Sequence, residues 1–170
     1  MTQDLYTISA LSPLDGRYSG KLAALRPIMS EHGYMHKRVQ VEITWFIALT
    51  QAGLVECPAL SAEATAYLRG LVQQFSEADT ADIKAIERET NHDVKAVEYW
   101  IKRAFRNDRL SPAVREELER AGEFVHFACT SEDINNTSHA LQLQAALREV
   151  LLPMLGDVVN LLLGMAEQYA

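Results

Sequence analysis

From Asn135 to Ala170 the chain carries apolar residues on every side of a helical repeat. Leu143, Leu147, Leu151, Met154, Val158, Leu161 and Met165 form one stripe, and Leu141, Leu152, Val159 and Leu163 make the reverse side apolar too. A helix that is apolar all round has to be covered by others. This run therefore constrains the fold more than any other stretch, and it predicts one member of a bundle of long helices. At 1.5 Å per residue such a helix reaches roughly 50 Å, longer than a small domain is wide. Pro153 is expected to kink it. The run meets Gln168-Tyr169-Ala170 with no glycine or other cap, as a helix cut partway through its bundle would. The triplet Leu161–Leu163, taken alone, is too short to span a bilayer.

The rest of the chain also reads as helices, and no alternating strand pattern occurs. Residues Met1 to Leu11 lack periodicity and are expected to form an extended arm. Ser12-Pro13-Leu14-Asp15-Gly16-Arg17-Tyr18 combines the residues that favour a turn. Lys21 to Arg26 is expected to be a short helix ended near Pro27. Ser30 is placed to cap a long helix to about Ala52, stopped by Gly53, with Met35, Val39, Ile43, Phe46 and Ala48 or Leu49 buried. His32 and His36 on it are four apart, but no carboxylate or third ligand joins them, so no metal site is expected. Ser61, Ser76 and Ser111 cap further helices, the last with Pro112 at its first position and Gly122 at its end. The fold class is all-α. Residues 1–122 form an N-terminal helical domain and residues 123–170 begin the helix-bundle domain.

Two stretches carry candidate chemistry. Thr90-Asn91-His92-Asp93 precedes the helical repeat Val94, Val97 and Ile101, and Thr130-Ser131-Glu132-Asp133 precedes the long apolar run. Both have the Thr-x-x-Asp form of a capping box, which marks helix starts in general. The two can be ordinary caps. They can also face one anionic ligand, because first-turn N–H groups are unpaired and the helix dipole favours anions there. The same field disfavours a proton on His92, leaving the neutral imidazole that proton transfer near pH 7 needs. Arg17 on its turn can present a planar fork to phosphate, or be a plain surface charge beside a packing Tyr18. Arg88 and Lys95 flank the first start. His126, in the apolar run Phe124–Cys129, is expected to be buried and satisfied by a backbone partner.

Composition excludes some partners. The 170 residues carry a formal net charge of -7, which argues against a general nucleic-acid or membrane-surface binder. The two cysteines, Cys57 and Cys129, lack metal-ligand spacing and suit a reduced, cytoplasmic protein. No basic segment leads into an apolar core at the N-terminus, so no signal peptide is expected.

Three segments together carry a resemblance. Ser12–Tyr18, Thr90–Tyr99 and His126–Asn136 are similar, in that order, to motifs of the adenylosuccinate lyase family in its bacterial branch, within the fumarase/aspartase superfamily. The chain resembles the N-terminal part of that family over essentially all 170 residues. The resemblance implies a lyase that removes fumarate by β-elimination from adenylosuccinate, and from the succinylated carboxamide nucleotide earlier in purine synthesis, with no cofactor. It implies that Arg17 and Tyr18 contact the nucleotide, Arg17 through phosphate. Asn91, His92 and Asp93 would line the substrate, with His92 helping to position or protonate the leaving side. Thr130 and Ser131 would hold a carboxylate of the succinyl group. The family's principal histidine, in a His-Thr-His-Gly-type segment, and its mobile serine loop do not occur in this sequence, so the chain alone is expected to be inactive. The family site is assembled from subunits of a homotetramer. Two alternatives remain: another lyase of the superfamily, or a non-enzymatic helical interaction module.

Overall fold

A computed structural model describes residues 8–170. Most of the expected arm, Met1 to Thr7, lies outside the described residues. Among the described residues there is no strand, and the chain is all-α. The helices are α1 (Arg26–Met29), α2 (Glu31–Thr50), α3 (Ala62–Gln73), α4 (Glu77–Thr90), α5 (Asp93–Ala104), α6 (Pro112–Ala121), α7 (Ser131–Ala145) and α8 (Leu152–Gln168). A π-helical segment, Ala146–Leu151, joins α7 to α8. The chain forms two compact units, one of Tyr34–Ala140 and one of the described residues up to Gly33 with Leu141–Ala170.

In the unit Tyr34–Ala140, serine caps start three helices as their spacing predicts. Ser61 accepts from the Ala64 N–H, Ser111 accepts from the Val114 N–H, and Ser76 forms a reciprocal capping box with Asp79. The expected stripe of α2 is buried at Met35, Val39, Ile43, Phe46 and Leu49, whereas Ala48 is exposed. Against it pack Leu68 of α3, Ile83 and Ile86 of α4, Val97 and Ile101 of α5, and Leu118 of α6. The Phe46 and Phe105 rings stack 5.7 Å apart. Fully burying one such side chain contributes roughly 1.5–3 kcal/mol.

In the other unit the short helix falls elsewhere than expected. Ser19–Lys21 is a 3-10 turn, and the helix is α1, with Pro27 in its first turn. Proline begins this helix rather than ending one, because first-turn residues need no N–H partner. The Ile28 carbonyl accepts from Gln142 Nε2 (2.6 Å). A Cβ on Gly33 would lie 2.2 Å from that same oxygen, so only glycine fits there.

The helical path from Ser131 to Gln168 is long and apolar enough to cross a membrane, which the triplet Leu161–Leu163 alone would not suggest. Length and composition are equally those of a bundle's core helix. None of the residues of α8 is buried within this chain. The π segment ends two residues before Pro153, whose ring removes one N–H donor, so that the i→i−4 ladder has to adjust.

Candidate active site

The first motif does not form the capping box its letters suggest. Thr90 is the last residue of α4, and Asn91 closes that helix in the left-handed conformation at φ 53°. Asparagine tolerates this conformation better than most residues. The next residue, His92, is extended and is itself the cap of α5: its Nδ1 accepts from the Lys95 N–H at 3.1 Å. A nitrogen that accepts carries no proton, which leaves Nε2 as the ring nitrogen open to a ligand. Thr90 instead donates its hydroxyl proton to the His92 carbonyl (3.2 Å).

Asp93 does not reach back. Its Oδ1 accepts from the Val94 N–H (2.8 Å), and its Oδ2 pairs with Arg38 of α2. Partial burial works against the charge, but the Val94 N–H and the Arg38 guanidinium prevail and hold its pKa below the ordinary range. Asn91, His92 and Asp93 together with Lys84, Glu87 and Arg88 line an open concavity of about 480 Å³. One turn further along α5, Glu98 is buried between Lys95 (2.7 Å) and Lys102 (3.2 Å). Burial opposes its ionisation, yet the two ammonium groups keep its pKa low.

The second motif is a true capping box. The Thr130 N–H donates to Asp133 Oδ2 (2.7 Å), and the Thr130 hydroxyl donates to the same oxygen (3.0 Å). The Asp133 N–H donates back to Thr130 Oγ1 (3.4 Å). These Thr130 donors keep the Asp133 pKa low. Thr130 and Ser131 therefore stand at the start of α7.

The loop before Thr130 is built otherwise than its sequence suggests. His126 is bonded not to a backbone group but to a buried carboxylate, donating from Nδ1 to Glu42 Oε1 (2.6 Å). Burial pushes the Glu42 pKa up, and His126 only partly offsets this. His126 and Ala128 both adopt positive φ, 64° and 60°, in which non-glycine residues are uncommon. Trp45 Nε1 donates to the Phe127 carbonyl (2.8 Å) and holds the loop against α2.

Arg38, Glu42 and Trp45 were invisible to motif reading, but a signal for two of them exists. Arg38 and Glu42 fall beside Met35, Val39 and Ile43 on the side of α2 that the apolar stripe buries, and charged residues seldom occupy such positions unless paired. His36, read with His32 as a weak metal pair, donates from Nε2 to the Val72 carbonyl (2.9 Å). Among the described residues no cluster of three or more His, Cys, Asp or Glu is placed to hold a metal ion.

Arg17 and Tyr18 lie in the other unit, on the expected turn. The Gly16 N–H donates to the Ser12 carbonyl (3.0 Å) and the Tyr18 N–H to the Pro13 carbonyl (2.9 Å). The Arg17 guanidinium lies 5.7 Å from the Tyr18 ring centroid, and both side chains are exposed.

An all-α frame with a histidine at a helix start is the setting in which the comparisons with known proteins fall. A model of a lyase family matches residues 16–170, and the chain belongs to that family. Among its relatives are proteins named adenylosuccinate lyase: 51% identical in Haemophilus influenzae over 97% of this chain, and 49% identical in Escherichia coli K12 over 98%. Another, from Vibrio cholerae, is 48% identical over 98% of the chain. The chain spans 35% of the length of each of these relatives.

Proposed function

We propose that this chain is part of an enzyme that cleaves adenylosuccinate to AMP and fumarate, and the succinylated aminoimidazole carboxamide nucleotide to its carboxamide and fumarate. The observation that carries the reading is His92. It caps α5 through Nδ1 and lines a concavity together with Asn91 and Asp93. In the elimination a proton leaves the β-carbon of the succinyl group while the bond from the α-carbon to nitrogen breaks. The leaving nitrogen's electron pair then takes a proton. His92 assists on that side by positioning or protonating the leaving group. Asn91 and Asp93 line the substrate, and Arg17 and Tyr18 receive the nucleotide, Arg17 through phosphate.

The capping box sharpens the role of the second motif. Thr130 has already committed its hydroxyl proton to Asp133. In this arrangement Ser131 is the hydroxyl that donates to the succinyl carboxylate, and Thr130 contributes by fixing the helix start. The residues that act as principal acid and base come from parts of the enzyme beyond these motifs, so the chain alone does not turn over. α8, apolar and exposed along its length, packs in the assembled enzyme against other helices of a homotetramer. Asp157, midway along α8, supports this over a lipid setting, where a carboxylate is costly. The location is the cytoplasm, consistent with two free thiols.

The test is a lyase assay on the protein extended to its native stop codon, with the 170-residue chain beside it. Loss of adenylosuccinate absorbance is expected with the extended protein only. Turnover by the short chain would overturn its assignment as inactive. A folded but inactive extended protein would leave a likeness of fold and favour the helical-module reading. In the extended enzyme His92→Ala is expected to lower kcat by about 10²-fold or more with assembly intact, and near-normal turnover would remove His92 from the chemistry.

A further inference from the structure

We propose that Arg38 is a positioning residue that fixes the helix start carrying His92 relative to the helix start carrying Thr130 and Ser131. The inference rests on the lyase reading above. Arg38 is 4% exposed. Its Nη2 pairs with Asp93, and its Nε donates to Asn135 Oδ1 (3.0 Å). The guanidinium lies 4.0 Å from the Tyr34 ring centroid, and that ring stacks on His139 at 4.2 Å. One planar cation is thus bonded on two edges and covered on a face. Asp93 adjoins His92. Asn135 lies four residues after Ser131, one turn along the same side of α7.

The neighbouring turns of α2 repeat the device. Glu42 holds His126, and Trp45 holds the Phe127 carbonyl. Positions 38, 42 and 45 follow the i, i+4, i+7 spacing of one helix side. A single rigid helix therefore ties the histidine segment, the strained loop and the threonine-serine segment through three polar groups. Stability alone does not explain the choice of arginine, because a buried ion pair is often no more stabilising than an apolar residue of similar volume. What arginine supplies is a fixed fork, in which two bonds leave in set directions. Lysine, a point charge on a flexible stem, cannot hold both Asp93 and Asn135 in that geometry.

The experiment uses the full-length enzyme with adenylosuccinate, comparing Arg38→Met, Arg38→Lys, Asn135→Ala and the double variant Arg38→Met/Asn135→Ala. Misplacing reacting groups by about an ångström costs on the order of 10²-fold, so Arg38→Met is expected to lower kcat by about 10- to 100-fold. KM should stay within about threefold, with oligomer size and circular dichroism unchanged. Arg38→Lys should fail to restore kcat. Asn135→Ala keeps the Arg38–Asp93 pair and so tests the link even if Arg38→Met does not fold. It should lower kcat several-fold, and where the double variant folds it should be no worse than Arg38→Met. A melting temperature that falls while kcat per folded enzyme is unchanged would overturn the inference, as would full activity in Asn135→Ala. Inactivity of the parent enzyme would instead overturn the lyase reading, and this inference with it.

Discussion

The two Thr-x-x-Asp segments share their letters and differ in what they build. At Thr130 the threonine and aspartate satisfy each other, and α7 starts where the pattern places it. At Thr90 the threonine ends one helix, His92 caps the next, and Asp93 turns to Arg38. The difference lies in what surrounds each aspartate. Asp133 is exposed and has only its own helix start to serve. Asp93 stands beside a buried guanidinium that would otherwise be stranded, and a charge-assisted bond to a buried cation outweighs a local cap. A short-range motif therefore holds only where no stronger long-range partner competes. The segment in which it loses is the one whose histidine lines a concavity.

The largest expected effect separates the two aspartates. Asp93→Asn leaves Arg38 buried without its counter-charge. Breaking a buried pair from one side costs about 3–5 kcal/mol. Because the Asp93 side chain is 42% exposed, solvent offsets part of this, and a loss of about 2 kcal/mol is expected in urea unfolding. Asp133→Asn strands no cation and should destabilise less. Equal losses in the two variants would remove the distinction.

The threonines should show the opposite order. Thr130→Ala deletes a cap and is expected to cost about 1 kcal/mol. Thr90→Ala removes one exposed hydroxyl bond and should cost no more than about 0.5 kcal/mol. A larger loss at Thr90 than at Thr130 would mean that the first segment behaves as a capping box in solution. Asn91 tests the same point from the backbone. Its left-handed conformation costs an ordinary residue about 1–2 kcal/mol, so Asn91→Ala should be destabilising by roughly that amount. Asn91→Gly should be neutral or slightly stabilising, since glycine favours this conformation at a helix end. If alanine and glycine melt alike, Asn91 is not held left-handed.

These contrasts also mark how far the sequence could be read. Helix positions followed from 3.6-residue periodicity, and Ser61, Ser76 and Ser111 cap where expected because a hydroxyl can accept from its own first turn while donating elsewhere, as Ser61 does to Glu117 and Ser111 to Glu63. Pro27 was legible as a boundary but not as to which side of it the helix lies, since proline both ends helices and starts them. Asn91, His92 and Asp93 were legible as neighbours at a helix start. The residue that fixes Asp93 lies 55 positions away; its place on the buried side of α2 marks it as paired, but no local pattern names the partner. Glu42 and His126 are 84 positions apart and were hidden in the same way. Sequence spacing encodes short-range hydrogen bonds well, whereas buried long-range pairs need the fold before they can be recognised.

The smallest expected effect is a change with pH in the deficits of two variants. The Asp93 carboxyl is held below its ordinary value of 3.8 in the folded chain. A carboxyl so held contributes stability that is fully present above the unfolded-state pKa and is lost as pH falls through the folded-state value. The deficit of Asp93→Asn relative to the parent should therefore be constant above about pH 5, shrink as pH drops below 3.8, where the unfolded chain's carboxyl takes up its proton, and vanish only below the lower folded-state value, where the folded parent's carboxyl is neutral too. The deficit of Thr130→Ala should shrink less over the same range. Asp133 keeps the backbone N–H of residue 130 in that variant, so only the hydroxyl's share of its support is removed. Melting temperatures of the parent and both variants between pH 7 and pH 3 provide the check. If the Asp93→Asn deficit grows toward acid pH, the Arg38 pair does not hold Asp93 in its charged form, and the account of why the first capping box fails is wrong.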